Sequence, residues 1–346
     1  MKKLCLIALA LLMLASALGE GSDMTWNENT RISQVVSDPA FEGFGDLIFP
    51  ADANIPADMK LKDAGSLLMW YTGINPARTV SIVNEMKARV EAGETIFYDI
   101  YTDAEKAADP AKEDTGLFFF RADCRRDNDP ADPRGLFDDK SIGGDAARPL
   151  IDQPRAKFAI VNAGGGFVYV GAMHDSFPHM QALAARGYNA FALIYRPGAQ
   201  TACEDLARAI AFIHEHAEEL GVDVTDYSLW GGSAGARMAA WLGTYGTAAF
   251  GEKEYPKPAA VIVNYTGLSE VTGDEVPTYS TVGTRDGIAS YRTMQSRINA
   301  IKALGIDAEI EIFDGMPHGF GLGEGTVAEG WLDNAVTFWE RNMKGE

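Results

Sequence analysis

The sequence predicts an α/β protein whose mostly parallel central sheet carries helices on both faces. Three observations lead there. From residue 157 onward, short apolar runs alternate with longer helix-prone segments, as a parallel sheet with crossover helices requires. A serine flanked by glycines, Gly231-Gly232-Ser233-Ala234-Gly235, stands between a strand-like run at 227–230 and a helix-prone stretch at 236–242. An earlier strand-like run, 157–163, ends at three consecutive glycines, Gly164-Gly165-Gly166.

Taken in order, the chain divides into three parts. Residues 1–17 have the form of a secretory signal peptide. Lys2 and Lys3 precede an apolar run over 4–14, and Ala15-Ser16-Ala17 suits signal peptidase. That run is too short to span a bilayer comfortably, and no cysteine follows closely enough for lipidation. A soluble protein in the periplasm or the external medium is expected, with no membrane association after signal removal. Residues 18–94 form an N-terminal leader that packs on the core or caps it. Within it a helix is expected over 78–92, with Val80, Val83, Met86 and Val90 on its apolar face and Gly93 as its stop. A catalytic domain is expected over 95–346. It opens with a pair of antiparallel strands at 95–101 and 116–121.

Residues 122–154 are rich in Asp, Arg, Pro and Gly and lack periodicity. Asp123, Asp127, Asn128, Asp129 and Asp132 do not follow calcium-loop spacing, so a solvated loop is expected and no metal. Strands then follow at 157–163 and 189–195. A helix is expected over 201–220, with Thr201 and Glu204 as a capping box and Gly221 as its stop. Leu206, Ile210, Ile213, Ala217 and Leu220 would face the core, while His214 and His216 point apart at its edge. Further strands are expected at 258–265, 277–283 and 308–313, and a closing helix over 330–340 buries Trp331 and Trp339.

A strand, a tight serine-bearing turn and a helix make the geometry of a nucleophile elbow. The glycines let strand and helix come close, and the Ala234 amide at the helix N-terminus faces where an oxyanion would form. A serine nucleophile needs a histidine and an acid. Of the five histidines only His318 follows Ser233, just past the strand at 308–313. Between them lie Asp274, Glu275, Asp286, Asp307 and Asp314. Only Asp286 stands just beyond the C-terminal end of a strand without sharing the histidine's own turn, so it is the expected acid. Gly165 and Gly166 would supply the other oxyanion amides. Phe167, Tyr169, His174 and Asp175 follow closely and are candidates for the rim of the substrate pocket, with a structured turn and ordinary packing as the alternative. A phosphate loop is excluded, because no Gly-Lys-Ser/Thr follows and the glycine spacing is wrong for a dinucleotide.

From about residue 95 to the C-terminus the chain resembles α/β-hydrolase-fold esterases, in the branch of hormone-sensitive-lipase-like enzymes and bacterial acetylxylan and feruloyl esterases. The resemblance rests on Ala163-Gly164-Gly165-Gly166-Phe167, Tyr195-Arg196-Pro197, Glu204-Asp205-Leu206, the elbow, Gly283-Thr284-Arg285-Asp286 and Pro317-His318-Gly319-Phe320. It implies hydrolysis of a carboxylic ester through Ser233, Asp286 and His318 without a cofactor, and acetyl or hydroxycinnamoyl groups on plant polysaccharide as substrates. Ala163 departs from the pattern, since relatives carry His or Pro before the glycines. A serine peptidase of the same fold and a non-catalytic binding module are the rival readings. The first is disfavoured by the lack of a long accessory domain and the second by the presence of all three triad residues.

Composition agrees. At 346 residues, 47% of them hydrophobic, the chain can bury a large core. The formal net charge of −19 disfavours nucleic acid and anionic lipid and suits a neutral or cationic small-molecule or carbohydrate ester as partner. Removal of the signal would leave Cys124 and Cys203, which nothing in the sequence brings together.

Overall fold

The computed structural model describes residues 25–49, 55–123 and 155–344. The expected signal peptide, Cys124 and nearly all of the acidic loop expected at 122–154 lie outside these residues.

Eight strands form one sheet in the order β1-β2-β4-β3-β5-β6-β7-β8. β1 (Phe97–Asp99) and β2 (Gly116–Phe120) are antiparallel to each other, and β2 is antiparallel to β4 (Asn189–Ile194). All other pairs are parallel, through β3 (Ala156–Asn162), β5 (Val222–Gly232), β6 (Ala260–Asn264), β7 (Thr278–Gly283) and β8 (Ala308–Phe313). The central strands are buried along most of their length, which explains why they read as continuous apolar runs.

Ten α-helices accompany the sheet among the described residues. In the leader are α1 (Ile32–Val36) and α2 (Pro76–Glu91), and α3 (Asp103–Ala108) joins the first two strands. α4 (Ala172–Asp175) and α5 (Phe177–Ala184) follow β3, and α6 (Ala199–Glu215) and α7 (Ala217–Leu220) follow β4. α8 (Ser233–Tyr245), α9 (Tyr291–Ala303) and α10 (Trp331–Arg341) complete the set. On β5, Tyr227 meets His214 of α6, and Trp230 meets Trp331 of α10. Positions 227 and 230 point to opposite faces of a strand, so α6 and α10 cover opposite faces of the sheet. None of the described helices is long and apolar enough to cross a membrane.

Three helix expectations are corrected. α2 starts at Pro76, because Asn75 caps it by accepting from the Ala77 amide and proline suits the first helical position. Its buried face is Thr79, Ile82, Val83 and Met86, with Val80 and Val90 only half-buried. α6 starts at Ala199, and the Thr201–Glu204 box does not form. Gly198, at φ 101°, turns the chain there with its amide on the Phe167 carbonyl, so tertiary contact overrides the local cap. The helical run also breaks at His216 before Gly221, at φ 66°, ends it. α9 was not anticipated, although Met294, Ile298 and Ile301 carry its buried face at helical spacing.

One apolar core runs from the leader through the sheet. Trp26, Ile32, Val35, Phe41 and Ile48 belong to the same cluster as Phe118, Phe158 and Trp230. Phe44 stacks on Phe97 at 5.2 Å and meets Phe118 edge-on at 5.8 Å. Cys203 is buried in α6, and burial pushes its thiol up to about 12.

His179 of α5 is 1% exposed beside Trp331, and neither ring nitrogen has a hydrogen-bond partner among the described residues. Burial lowers it to about 3, so the native ring stays neutral while an unfolded chain takes up a proton near pH 6.5. The unfolded state then binds more protons, and native stability is lost as pH falls from about 6.5 toward 3, at about 1.4 kcal/mol per pH unit for this one group. His179→Leu should therefore change stability little at pH 8 and flatten the acid-side loss. Urea denaturation at pH 8 and pH 5 measures both, and an unchanged pH dependence would refute the assignment.

Candidate active site

β5 runs straight into α8, and Ser233 at their junction has φ 51°. A left-handed conformation at a residue with a side chain costs on the order of 1 kcal/mol and is tolerated only where neighbours over-determine it. Here they do: a Cβ at Gly232 would strike the Asp175 carboxylate, and one at Gly235 would strike the Asn162 carbonyl. Asn162 also donates through Nδ2 to the Trp230 carbonyl at 2.9 Å, tying β3 to β5 at the elbow.

His318 comes from the loop after β8 and Asp286 from the turn after β7. His318 Nε2 lies 3.1 Å from Ser233 Oγ, and its Nδ1 lies 2.8 Å from Asp286 Oδ2. The tautomer that donates Nδ1–H to Asp286 leaves Nε2 to accept the serine proton. The other Asp286 oxygen accepts from the amides of Ile288 at 2.8 Å and Ala289 at 2.7 Å, so the carboxylate cannot swing away. The competing acids are engaged elsewhere. Asp314 accepts from Thr284 Oγ1 at 2.9 Å, Asp307 pairs with Arg341, and Glu275 accepts from the Thr272 and Gly273 amides.

The glycine loop folds over the elbow. Gly165 and Gly166 have φ of 132° and 65°, and among the described residues nothing takes their amides. The Ala234 amide is in the first turn of α8, where no intrahelical acceptor exists. The loop is held from two sides. Tyr195 donates to the Ala163 carbonyl at 2.7 Å, and the Gly164 amide donates to Asp175 Oδ2 at 2.8 Å. Tyr195 grips the backbone carbonyl of Ala163, so this anchor does not use the side chain at position 163.

Asp175 is 1% exposed and accepts from two further donors, the Tyr71 hydroxyl at 3.0 Å and the Tyr265 hydroxyl. Burial raises Asp175 to about 6 against the donors that favour its charge. Burial and the neighbouring carboxylate raise both tyrosines as well, so their hydroxyls remain donors. The Tyr265 ring packs edge-on against His318 at 5.2 Å. One carboxylate thus links the leader, the glycine loop, the end of β6 and the histidine.

A search of the curated proteins finds no match to this sequence. The family model described as BD-FAE matches residues 146–281, which include the glycine loop and Ser233 and stop short of Asp286 and His318. Among solved structures, the chain is similar to butyrate-bound esterase 2 of Thermogutta terrifontis. That match has 20% identity and a TM-score of 0.52, and it covers 74% of this chain and 98% of that one. It is also similar to MGS-M1, an alpha/beta hydrolase enzyme from a Medee basin deep-sea metagenome library. Here identity is 17% and the TM-score 0.51, covering 66% of this chain and 92% of that one. The chain has the α/β-hydrolase fold. Together with the family match, this supports a carboxylic-ester hydrolase.

The remaining expected residues fall differently. Phe167, at φ 62°, is half-buried and stacks on Trp241 at 6.3 Å. Tyr169 is 6% exposed with its ring against Trp70. His174, expected at the rim, is instead buried beside Tyr71, and its Nε2 lies 3.0 Å from the Gly319 carbonyl. Burial lowers His174 to about 4, so it is a neutral donor that holds the His318 loop from behind. Asp205, singled out with Arg196 by motif, forms a bidentate pair with it and accepts from Tyr101 at 2.6 Å, which fixes the end of β4 away from the serine. Asp175, expected like His174 at the rim, is instead buried as a hub, a role that sequence reasoning missed together with Tyr71 and Tyr265. The available signal was a carboxylate inside the small and apolar run 169–180.

Asp175→Asn keeps the shape but removes the charge that gathers three donors. It should lower kcat by roughly 10²-fold, the scale of a lost oxyanion donor, with KM nearly unchanged. Tyr71→Phe should cost less, because Gly164 and Tyr265 keep their acceptor. Steady-state kinetics on a short-chain ester, alongside thermal melts, separates this from unfolding; a wild-type kcat in folded Asp175→Asn would refute the hub.

Proposed function

We propose that this chain is an exported serine carboxylic-ester hydrolase, with residues 18–94 packing on or capping a catalytic domain over 95–346. The observation that carries the reading is the continuous hydrogen-bonded chain from Ser233 through His318 to Asp286, beside amides that nothing else takes among the described residues. His318 accepts the Ser233 proton as Oγ attacks the ester carbonyl, and Asp286 holds the ring and stabilises its cationic form. The Gly165, Gly166 and Ala234 amides receive the developing oxyanion. His318 then protonates the leaving alcohol and afterwards activates the water that releases the acid. Carboxylic esters with a neutral acyl group are the proposed substrates, and acetyl or hydroxycinnamoyl esters of plant polysaccharide are the specific class suggested by the resemblance. The acidic surface favours such neutral substrates over polyanions.

Ser233→Ala should reduce ester hydrolysis on the order of 10⁴-fold or more without unfolding the protein. Asp286→Asn should cost roughly 10³- to 10⁴-fold, and Asp314→Asn far less. Rates on p-nitrophenyl acetate and butyrate, then on methyl ferulate and acetylated xylan, measure this. Half of the wild-type rate surviving in Ser233→Ala would remove the nucleophile assignment, and a larger loss at Asp314 would reassign the acid.

The exported protein should begin near residue 18. N-terminal sequencing of secreted material decides it, and a chain that starts at Met1 would overturn export by cleavage.

A further inference from the structure

Residues 68–72 of the leader cross the site as a strap. The Thr72 amide donates to the Gly319 carbonyl and its hydroxyl to the His318 carbonyl, both at 3.2 Å. One residue back, Tyr71 reaches Asp175. Between these ties and the solvent sits Trp70, in the left-handed region at φ 75° and 46% exposed. A bulky residue adopts that conformation at a cost, and strain of this kind gathers at functional sites. The inner face of the indole stacks on Tyr169 at 5.7 Å. Its edge lies over Gly166, where an added Cβ would stand 3.0 Å from Trp70 Cζ3. The other half of the ring faces water beside an amide assigned to the oxyanion. Val168 and Ile288, two residues from Gly166 and from Asp286, are 48% and 60% exposed and add apolar surface near the same loops.

We propose that Trp70 is a specificity-determining residue: its exposed indole face stacks on a flat ring carried by the ester substrate close to the carbonyl. This rests on the ester-hydrolase reading above and deepens it. A backbone held in a costly conformation by three ties presents a large, rigid apolar face with few internal rotations to freeze, and aromatic rings stack favourably on such a face. The ring can enter from either side of the ester, as an aromatic acyl group or on the alcohol.

The test uses full-length wild type, Trp70→Ala and Trp70→Phe with two ester pairs followed by pH-stat titration. Methyl cinnamate against methyl butyrate places the ring on the acyl side, and benzyl acetate against butyl acetate places it on the alcohol side. In Trp70→Ala the kcat/KM ratio of ring-bearing to open-chain ester should fall about tenfold in one pair, mainly through KM, and Trp70→Phe should keep most of it. The pair that responds identifies the side. Ratios unchanged in both pairs, or all four rates falling together, would make Trp70 a strut and overturn the proposal. Wild type hydrolysing none of the four would overturn the ester-hydrolase reading itself and this inference with it.

Discussion

The site depends on one buried carboxylate. Asp175 sits directly beneath the elbow and gathers the Gly164 amide, Tyr71 and Tyr265. Its environment is poor for a charge, and the raised value of about 6 shows desolvation outweighing its donors. The native state holds this proton at pH values where an unfolded chain has released it, so the group lowers stability as pH rises from about 4 to 6 and by a constant amount above that. An ionised Asp175 is therefore a cost to the fold at neutral pH. What it brings is geometry: the loop turns on itself through the Val168 and Tyr169 amides on the Gly165 carbonyl and the Gly171 amide on the Gly164 carbonyl, and Asp175 ties that turn to the elbow from below.

The same logic runs through the other buried polar groups around the serine. His174 is kept neutral so that it can donate to Gly319, and Tyr195 spends its hydroxyl on the Ala163 carbonyl. None of these touches the reacting atoms. Each removes a freedom from a glycine-rich segment that would otherwise have many conformations, which is how a site built on loops reaches the precision that acyl transfer demands. The glycines make close approach possible, and the buried acceptors and donors make it unique.

Most of the sheet was legible in the sequence: β3, β4 and β6 are buried, largely apolar runs, β7 is a β-branched and aromatic run, and β8, half-buried at the sheet edge, alternates Glu with Ile. The elbow was legible for a local reason too: strand, glycine turn and helix are contiguous, as are Asp286 and His318 with the strands that deliver them. What was not legible came from distance. The start of α6 is fixed by Phe167 across the loop, not by Thr201, and the role of Asp175 depends on Tyr71 and Tyr265, 104 and 90 residues away in sequence. His174 looked like a rim residue because a histidine near a catalytic loop invites that reading. Only the fold shows that its ring turns inward. α9 is a different kind of miss, since its apolar spacing was present and unread.

Thr72 and His318 are 246 residues apart, and their contact closes the site. The catalytic geometry is thus among the most non-local parts of the molecule, built from an early segment of the described residues and a late one. A chain emerging in sequence order could lay down the strands around the elbow long before it possessed a base for the serine, and the strap would wait for the final loop before it had anything to grip. With the roles proposed above, Ser233 then gains its base only when the loop that carries His318 is in place, the same loop that the leader grips, so that fragments and stalled chains would carry the serine without the means to ionise it.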